Sequence, residues 1–219
     1  MPKFNVAIFR HNPEASGHCT DALIKALSPE YEINVINETQ LTPENLKKFV
    51  CIVFPGGVGE ARAWKRILKP YRFIIQQYLA QGGHYLGICM GAYWADQECF
   101  NILDGIKVDQ YIKVPSAEIK RSYPTVAEIK WRGEAEYMYF YDGPTFYKYL
   151  TNQPITPCEV VATYQNGMAM ALMQGKVGLI GCHPESAQGW YTKPYMSRLW
   201  HDGEHHEMLR DFLDRLLVR

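Results

Sequence analysis

The stretch GGHYLGICMGAYWA, residues 82–95, decides the fold, because an apolar run ends within it at a cysteine flanked by two glycines. GHYLGI (83–88) predicts a short buried strand, and MGAYWADQECF (90–100) predicts a helix that follows at once. Glycine on either side of Cys89 suits a sharp strand-to-helix turn, where side chains would clash. Two interpretations follow: Cys89 is a nucleophile held out at the strand end, or it is a small buried residue.

The segments on either side of this stretch alternate between short apolar strands and helices. This alternation is typical of a parallel sheet with helices on both faces, and such sheets place their sites at the carboxyl ends of the strands. The predicted strands are 4–9, 31–37, 50–54 and 83–88, and the predicted helices are 19–27, 42–49, 67–81 with an interruption at Pro70, and 90–100.

After residue 100 the pattern changes to short strand-like runs, which predict an antiparallel portion added to the sheet. An Asn-Gly turn at 165–167 predicts a hairpin, and an amphipathic helix over 203–219 closes the chain. We expect one domain over 1–219 with an α/β fold: a doubly wound, mostly parallel sheet with helices on both faces and an added antiparallel portion. The strand-like runs are 106–112, 125–131, 136–141, 158–164, 167–173 and 176–182.

The composition argues against several classes of protein. Among 219 residues, 47% are hydrophobic, and 23 Lys and Arg balance 23 Asp and Glu, so no global charge attracts nucleic acid or anionic lipid. The six cysteines form no CxxC pair, which argues against a disulfide framework and favours a reducing compartment. The first residues lack a secretory apolar core. We therefore expect a cytoplasmic protein without a nucleic-acid or membrane partner, a cofactor or a bound metal.

A segment late in the chain supplies the base that a cysteine nucleophile needs. His183 follows the strand-like run KVGLIGC, and Glu185 lies two residues further on, so its carboxylate is placed to orient the imidazole ring. A helix N-terminus directly after Cys89 would favour the thiolate form of its side chain. These three residues are a candidate nucleophile, base and orienting group.

A third segment is a candidate oxyanion hole. The sequence FPGG follows the strand predicted at 50–54, and the backbone N–H groups of Gly56 and Gly57 are free to turn toward a developing negative oxygen. The N–H of Met90, directly after the nucleophile, is the second expected donor. Each motif alone is more often structural, but all three in this order favour a real or ancestral active site.

Three segments together resemble the class I glutamine amidotransferase-like superfamily: FPGGVGE (54–60), GICMGAYWA (87–95) and GCHPES (181–186). Members of that superfamily place a catalytic triad on a flavodoxin-like sheet. The resemblance implies a triad of Cys89, His183 and Glu185. With a YDGP segment at 141–144, the motifs look most like the domain at the N-terminus of some biotin–protein ligases, of which stand-alone versions exist.

The sequence departs from that superfamily at one informative position. Glutamine-using members usually carry Gln four residues after the nucleophile, whereas this chain has Tyr93, which puts free glutamine in question as the substrate. No synthetase portion and no biotin-ligase adenylate loop are recognised. Ammonia from such a reaction would therefore need a separate acceptor enzyme.

The segment 136–149 is unusually aromatic and is interpreted either as a pocket wall or as a half-buried strand plus a turn. In the first interpretation Tyr139, Tyr141 and Phe146 line the pocket. The predicted substrate-binding residues are Tyr93, Tyr141, Asp142 and Gly143.

Two polar segments have a functional and a plainer interpretation. Arg10 or Ser16 would suit a substrate carboxylate or phosphate, although a polar loop capping the next helix is the simpler expectation. His201 and His205 would share a helical face as metal ligands do. A solvated surface is expected there instead, because no HExxH motif is present and Gly203 interrupts the helix.

Two classes of function fit these patterns. The first is a cysteine hydrolase or amidotransferase-like enzyme that acts on the amide bond of a small molecule or peptide; an intracellular peptidase is one variant. The second is a ligand-binding or regulatory module on the same scaffold, in which Cys89 does not turn over.

Overall fold

The computed structural model describes residues 3–10, 17–57, 66–149 and 156–219, which form one mixed eleven-stranded sheet flanked by helices. The strands are β1 Asn5–Phe9, β2 Glu32–Ile36, β3 Cys51–Phe54, β4 His84–Ile88, β5 Ile106–Gln110, β6 Thr125–Trp131, β7 Glu134–Phe140, β8 Pro144–Lys148, β9 Cys158–Tyr164, β10 Ala169–Gln174 and β11 Val177–Ile180. The helices with described bounds are α1 Gly17–Leu27, α2 Pro43–Leu46, α3 Arg72–Ala80, α4 Met90–Trp94, α5 Pro194–Ser197 and α6 Glu204–Leu217.

One half of the sheet is parallel, with strands in the order β2-β1-β3-β4-β11. Every residue of β3, β4 and β11 is buried, which explains why these segments read as continuous apolar runs. The carboxyl ends of these three strands therefore meet at one edge of the sheet. The loops that carry Gly56, Cys89 and His183 all leave from that edge.

The other half is antiparallel and continues from β11 through β10, β9, β6 and β7. The turn at 165–167 joins β9 to β10, as the Asn-Gly pair predicts. β8 pairs with β10 and β5 and was not predicted, because Gly143 and Pro144 indicate a turn. Proline is tolerated there as the first residue of the strand. The predicted fold class is confirmed.

Two of the predicted helices are shorter in the structure. The helix predicted over 90–100 ends at Trp94, and the one predicted over 42–49 ends at Leu46 after the expected Thr42 cap. Side chains of α3 bind the carbonyl groups that follow α4: Arg72 donates to Gln97 and Cys99, and Gln76 donates to Phe100. These side chains hydrogen-bond the carbonyl groups of the segment while it forms a turn. The tertiary contacts therefore override the helix propensity of residues 95–100. The interruption at Pro70 is a 3₁₀ turn over Lys69–Tyr71.

Helices cover both faces of the sheet. α1 and α6 pack on one face, and α2, α3 and α4 on the other. α6 buries the predicted Leu209, Phe212, Leu213 and Leu216, whereas Leu217 is only partly buried. α6 lies close to β11 at Gly178, where a Cβ atom would be 2.7 Å from the Phe212 ring. None of the described helices is long and apolar enough to cross a membrane.

Candidate active site

Cys89 occupies a sharp turn between β4 and α4. Its backbone is left-handed, with φ at 49°, and its N–H donates to the Ile180 carbonyl of β11 at 2.8 Å. Such a conformation is costly for a residue with a side chain, and it is held by the pairing of the two strands. A Cβ atom on Gly87 would lie 2.6 Å from the carbonyl oxygen of Gly91, so the turn has no room for a side chain there.

The thiol of Cys89 lies under the loop that follows β7. The residue is 4% exposed, and its Sγ donates to the carbonyl oxygen of Tyr141 at 3.6 Å. α4 has only five residues, so the helix N-terminus contributes less to a thiolate than the sequence predicted.

His183 and Glu185 form a buried hydrogen-bonded pair just after β11. The imidazole Nδ1 and the carboxylate Oε1 are 2.9 Å apart, and the two residues are 3% and 0% exposed. The His183 N–H donates to the Tyr139 carbonyl at 2.9 Å, which fixes the backbone of this segment to β7. The second carboxylate oxygen of Glu185 has no hydrogen-bond partner among the described residues. The carboxylate therefore makes one hydrogen bond among the described residues, and that bond orients the ring.

The pKa of His183 is raised well above its ordinary value. Burial alone would lower it, but the negative charges of Cys89 and Glu185 and hydrogen bonds to Cys19 and Cys89 outweigh the desolvation. The ring is therefore held as an imidazolium in contact with Cys89 and Glu185.

Cys19 is a second thiol at this site, and none of the sequence motifs includes it. It lies in α1, contacts His183 and is 9% exposed. Burial raises the pKa of Cys19 despite its hydrogen bond to His183, so this thiol stays protonated. Its place at the start of α1, the helix that follows β1, was the signal that could have found it, because loops after parallel strands converge at one edge of the sheet.

The glycine loop after β3 packs directly on the imidazole. A Cβ atom on Gly56 would lie 2.4 Å from Cε1 of His183 and 3.3 Å from Sγ of Cys19. The Gly91 N–H donates to the Pro55 carbonyl at 3.1 Å, which ties this loop to the turn at Cys89. Met90 begins α4, so its N–H has no acceptor within that helix. The part of FPGGVGE beyond Gly57 lies outside the described residues.

A cavity of about 460 Å³ opens beside the imidazole. Tyr139 and Trp190 stand edge-on to the His183 ring, each with ring centres 5.7 Å away. Phe146 is only 2% exposed and packs in the core instead of the predicted pocket wall. The segment with Trp190 gave no signal in the sequence, because its place at the cavity depends on the tertiary packing. The described lining residues are His18, Cys19, Gly57, Pro124, Tyr139, Tyr141, His183, Gly189, Trp190 and Thr192.

Of the four predicted substrate-binding residues, Tyr141 lines this cavity. The Tyr93 hydroxyl donates a hydrogen bond to the Asp142 carbonyl at 3.2 Å. The Asp142 carboxylate accepts two hydrogen bonds from Gln110, at 2.6 and 2.7 Å. A Cβ atom on Gly143 would lie 1.9 Å from the Gly181 carbonyl oxygen. These three residues hold the loop that carries Tyr141, so we expect them to support the wall while Tyr141 meets the substrate.

Arg10 and His205 are the informative described residues of the two polar segments. Arg10 forms an ion pair with Asp21 at 2.6 Å, and Ser16 lies outside the described residues. The expectation of a solvated surface over 201–208 is wrong at His205, which is completely buried because the first turn of α6 packs against the sheet.

Residues 5–110 match the family model described as "Biotin-protein ligase, N terminal". The resemblance inferred from the motifs is confirmed. No curated protein sequence matches the chain.

Solved structures share the fold over almost the whole chain. A glutamine amidotransferase from Thermotoga maritima is 15% identical, with a TM-score of 0.64 and 99% of both chains covered. A Thermoplasma acidophilum protein described as a GMP synthase subunit is 11% identical, with a TM-score of 0.58, covering 98% of this chain and 100% of that one. A glutamine amido transferase from Methylobacillus flagellatus is 15% identical, with a TM-score of 0.55, covering 92% of this chain and 76% of that one. At these identities the likeness concerns the fold.

Proposed function

We propose that the protein is a cysteine-dependent amide hydrolase or amidotransferase-like enzyme. The observation that carries the proposal is the buried imidazole of His183, which interacts with Cys89 and hydrogen-bonds Glu185 at 2.9 Å. That is the order of groups that nucleophilic catalysis by a thiol needs.

In the proposed reaction the Cys89 thiolate attacks the amide carbonyl carbon, and the carbonyl electron pair moves to oxygen. The N–H groups of Gly57 and Met90 stabilise this oxyanion, with Gly56 as the further candidate donor. The intermediate then collapses, the C–N bond breaks, and His183 gives its proton to the leaving amine. Water or another amine attacks the thioester, His183 takes a proton from it, and the thiolate leaves.

The cavity supports an amide whose acyl portion is aromatic or apolar. Tyr139, Tyr141 and Trp190 present ring surfaces beside His183, and a cavity of about 460 Å³ is within the usual range for a small-molecule site. Tyr93, at the position where glutamine-using relatives carry Gln, binds a main-chain carbonyl. We therefore propose a substrate other than free glutamine. Released ammonia or amine would pass to a separate acceptor enzyme, and the cytoplasm remains the expected compartment.

Selective alkylation tests the nucleophile. Iodoacetamide at neutral pH is expected to modify Cys89 before the other cysteines, as measured by peptide mass spectrometry over time. Burial raises the pKa of Cys19, Cys51, Cys158 and Cys182, which keeps these four protonated. Cys158 is the matched control, because it is the most accessible of the four. Equal alkylation rates at Cys89 and Cys158 would contradict the proposal. Faster alkylation of Cys19 than of Cys89 would identify Cys19 as the nucleophile.

Substrate screening tests the reaction and separates it from a binding role. Aryl and alkyl amides, short peptides and glutamine are offered to the wild type and to Cys89→Ala. Turnover that is lost in the variant supports the enzyme, and peptide cleavage alone would indicate a peptidase. No Cys89-dependent turnover, together with a small ligand that raises the melting temperature of both proteins, would instead establish a binding module.

A further inference from the structure

A second cluster of metal-ligating side chains lies away from the candidate active site. Glu136 in β7, His201 in the 3₁₀ turn over His201–Gly203 and His205 in the first turn of α6 each offer one donor atom. These donor atoms all lie within 4.8 Å of one another. The carboxylate Oε2 of Glu136 and Nδ1 of His201 are 3.9 Å apart.

His205 is the residue that points to a ligand. It is completely buried, and neither nitrogen of its ring has a hydrogen-bond partner among the described residues. A buried polar group without a partner is destabilising, and native structures rarely leave one unexplained. The neighbouring His206 is satisfied, since its Nε2 contacts the Ser186 carbonyl at 3.1 Å.

We propose that Glu136, His201 and His205 bind a divalent transition metal, with Zn²⁺ as the simplest occupant. Two imidazoles and one carboxylate are a donor set that suits this ion. Donor atoms around tetrahedral Zn²⁺ lie about 3.4 Å apart, given bonds of about 2.0–2.1 Å, so modest side-chain rotation closes the cluster. Three protein donors leave a coordination position for water.

The surroundings of the cluster favour a cation. A surface depression beside Glu136 is lined by five acidic residues and by Arg132, and Arg132 is paired with Asp211 at 3.0 Å. A second depression beside His201 carries Arg210, which pairs with Glu30 at 2.9 Å. The acidic residues of the first depression are Glu134, Glu136, Glu204, Glu207 and Asp211.

The metal would join β7 to the start of α6. β7 contains Tyr139 and leads directly to Tyr141, and both residues line the cavity of the candidate active site. An ion at this position would therefore stiffen the strand that carries the cavity wall, independently of any reaction at Cys89.

Metal titration of the full chain tests the proposal. After treatment with EDTA, the protein is titrated with Zn²⁺ by calorimetry and with Co²⁺ by absorption spectroscopy. We expect one Zn²⁺ per chain, a melting temperature that rises with Zn²⁺ and falls back with EDTA, and a Co²⁺ spectrum without a thiolate charge-transfer band. His201→Ala and Glu136→Gln should weaken binding at least about 100-fold. His206→Ala is the matched control and should bind within about threefold of the wild type.

Other results would overturn the proposal. Absence of Zn²⁺ binding would do so, as would unchanged binding in both His201→Ala and Glu136→Gln. A thiolate charge-transfer band, with binding lost in Cys19→Ser, would place the ion at the candidate active site instead. His205→Asn is informative only if it folds, and the partly exposed His201 and Glu136 keep the test decisive without it.

Discussion

At the scale of single residues, the missing Cβ atom of Gly56 sets where the imidazole of His183 lies. We predict that Gly56→Ala displaces the ring, because the new methyl group would lie 2.4 Å from Cε1, far inside van der Waals contact. Alkylation of Cys89 at neutral pH should slow by at least about tenfold, because the displaced ring no longer meets the thiol in the same geometry.

Gly189→Ala is the control for that variant. Gly189 also lines the cavity, but a Cβ atom there would meet no atom within 4 Å. The alkylation rate of Cys89 in Gly189→Ala should equal that in the wild type. Equal rates in Gly56→Ala would show that the ring adjusts and that its position does not depend on this glycine.

Glu185 is predicted to control the charge of the His183 ring. In Glu185→Gln the carboxylate charge is lost, so the pKa of His183 falls and the imidazolium gives way to neutral imidazole at a lower pH. In the wild type the His183 ring keeps its charge up to its raised pKa. In the variant, Cys89 should therefore be alkylated at least about tenfold more slowly at pH 7 than in the wild type. Its alkylation rate should approach the wild-type rate only in alkaline solution.

A pH profile of the alkylation rate checks this prediction. Glu159→Gln is the control, because it removes a carboxylate of the antiparallel half that pairs with Arg215 and Arg219. A profile for Glu185→Gln that superimposes on the wild type would remove Glu185 from its proposed role.

At the scale of secondary-structure elements, α6 stabilises one face of the sheet with a single apolar stripe. Leu213→Ala should lower the free energy of unfolding by about 2–5 kcal/mol, because Leu213 is completely buried and its truncation leaves a cavity. Val218→Ala, at a residue that is 86% exposed, should change it by less than about 0.5 kcal/mol. Urea denaturation measures both, and similar midpoints for the two variants would mean that α6 is not part of the cooperative core.

Helix ends show where local sequence stops deciding the structure. The Thr42 cap and the apolar stripe of α6 could be predicted from the sequence, because each depends on residues one or two helical turns apart. The early end of α4 could not be predicted from the sequence. It depends on Arg72 and Gln76, which reach it from α3, more than twenty residues away in the chain.

At the scale of the whole molecule, the candidate active site lies where the parallel and antiparallel halves meet. Tyr93 of α4 donates to the Asp142 carbonyl in the loop between β7 and β8, which links the two halves beside Cys89. Tyr93→Phe removes this bond, which is worth about 0.5–1.5 kcal/mol. We predict faster amide exchange in residues 141–143, measured by hydrogen–deuterium exchange, with the fold retained.

Tyr147→Phe provides the comparison. It deletes a tyrosine hydroxyl bond of similar length, 3.0 Å to Asp109, that does not involve this loop. Exchange in residues 141–143 should not change in that variant. If Tyr93→Phe left the loop equally protected, the link between the halves would have to lie in other contacts.

The sequence by itself determined the parallel strands, the class of fold and the three motifs, because each is a local pattern of apolar runs and glycines at strand ends. Tertiary structure alone decided that Cys19 contacts His183, that Trp190 stands beside that ring, and that His205 is buried with no hydrogen-bond partner among the described residues. The physical reason is that these relations join segments distant in the chain, and only the packing of helices on both faces of the sheet brings them within contact distance.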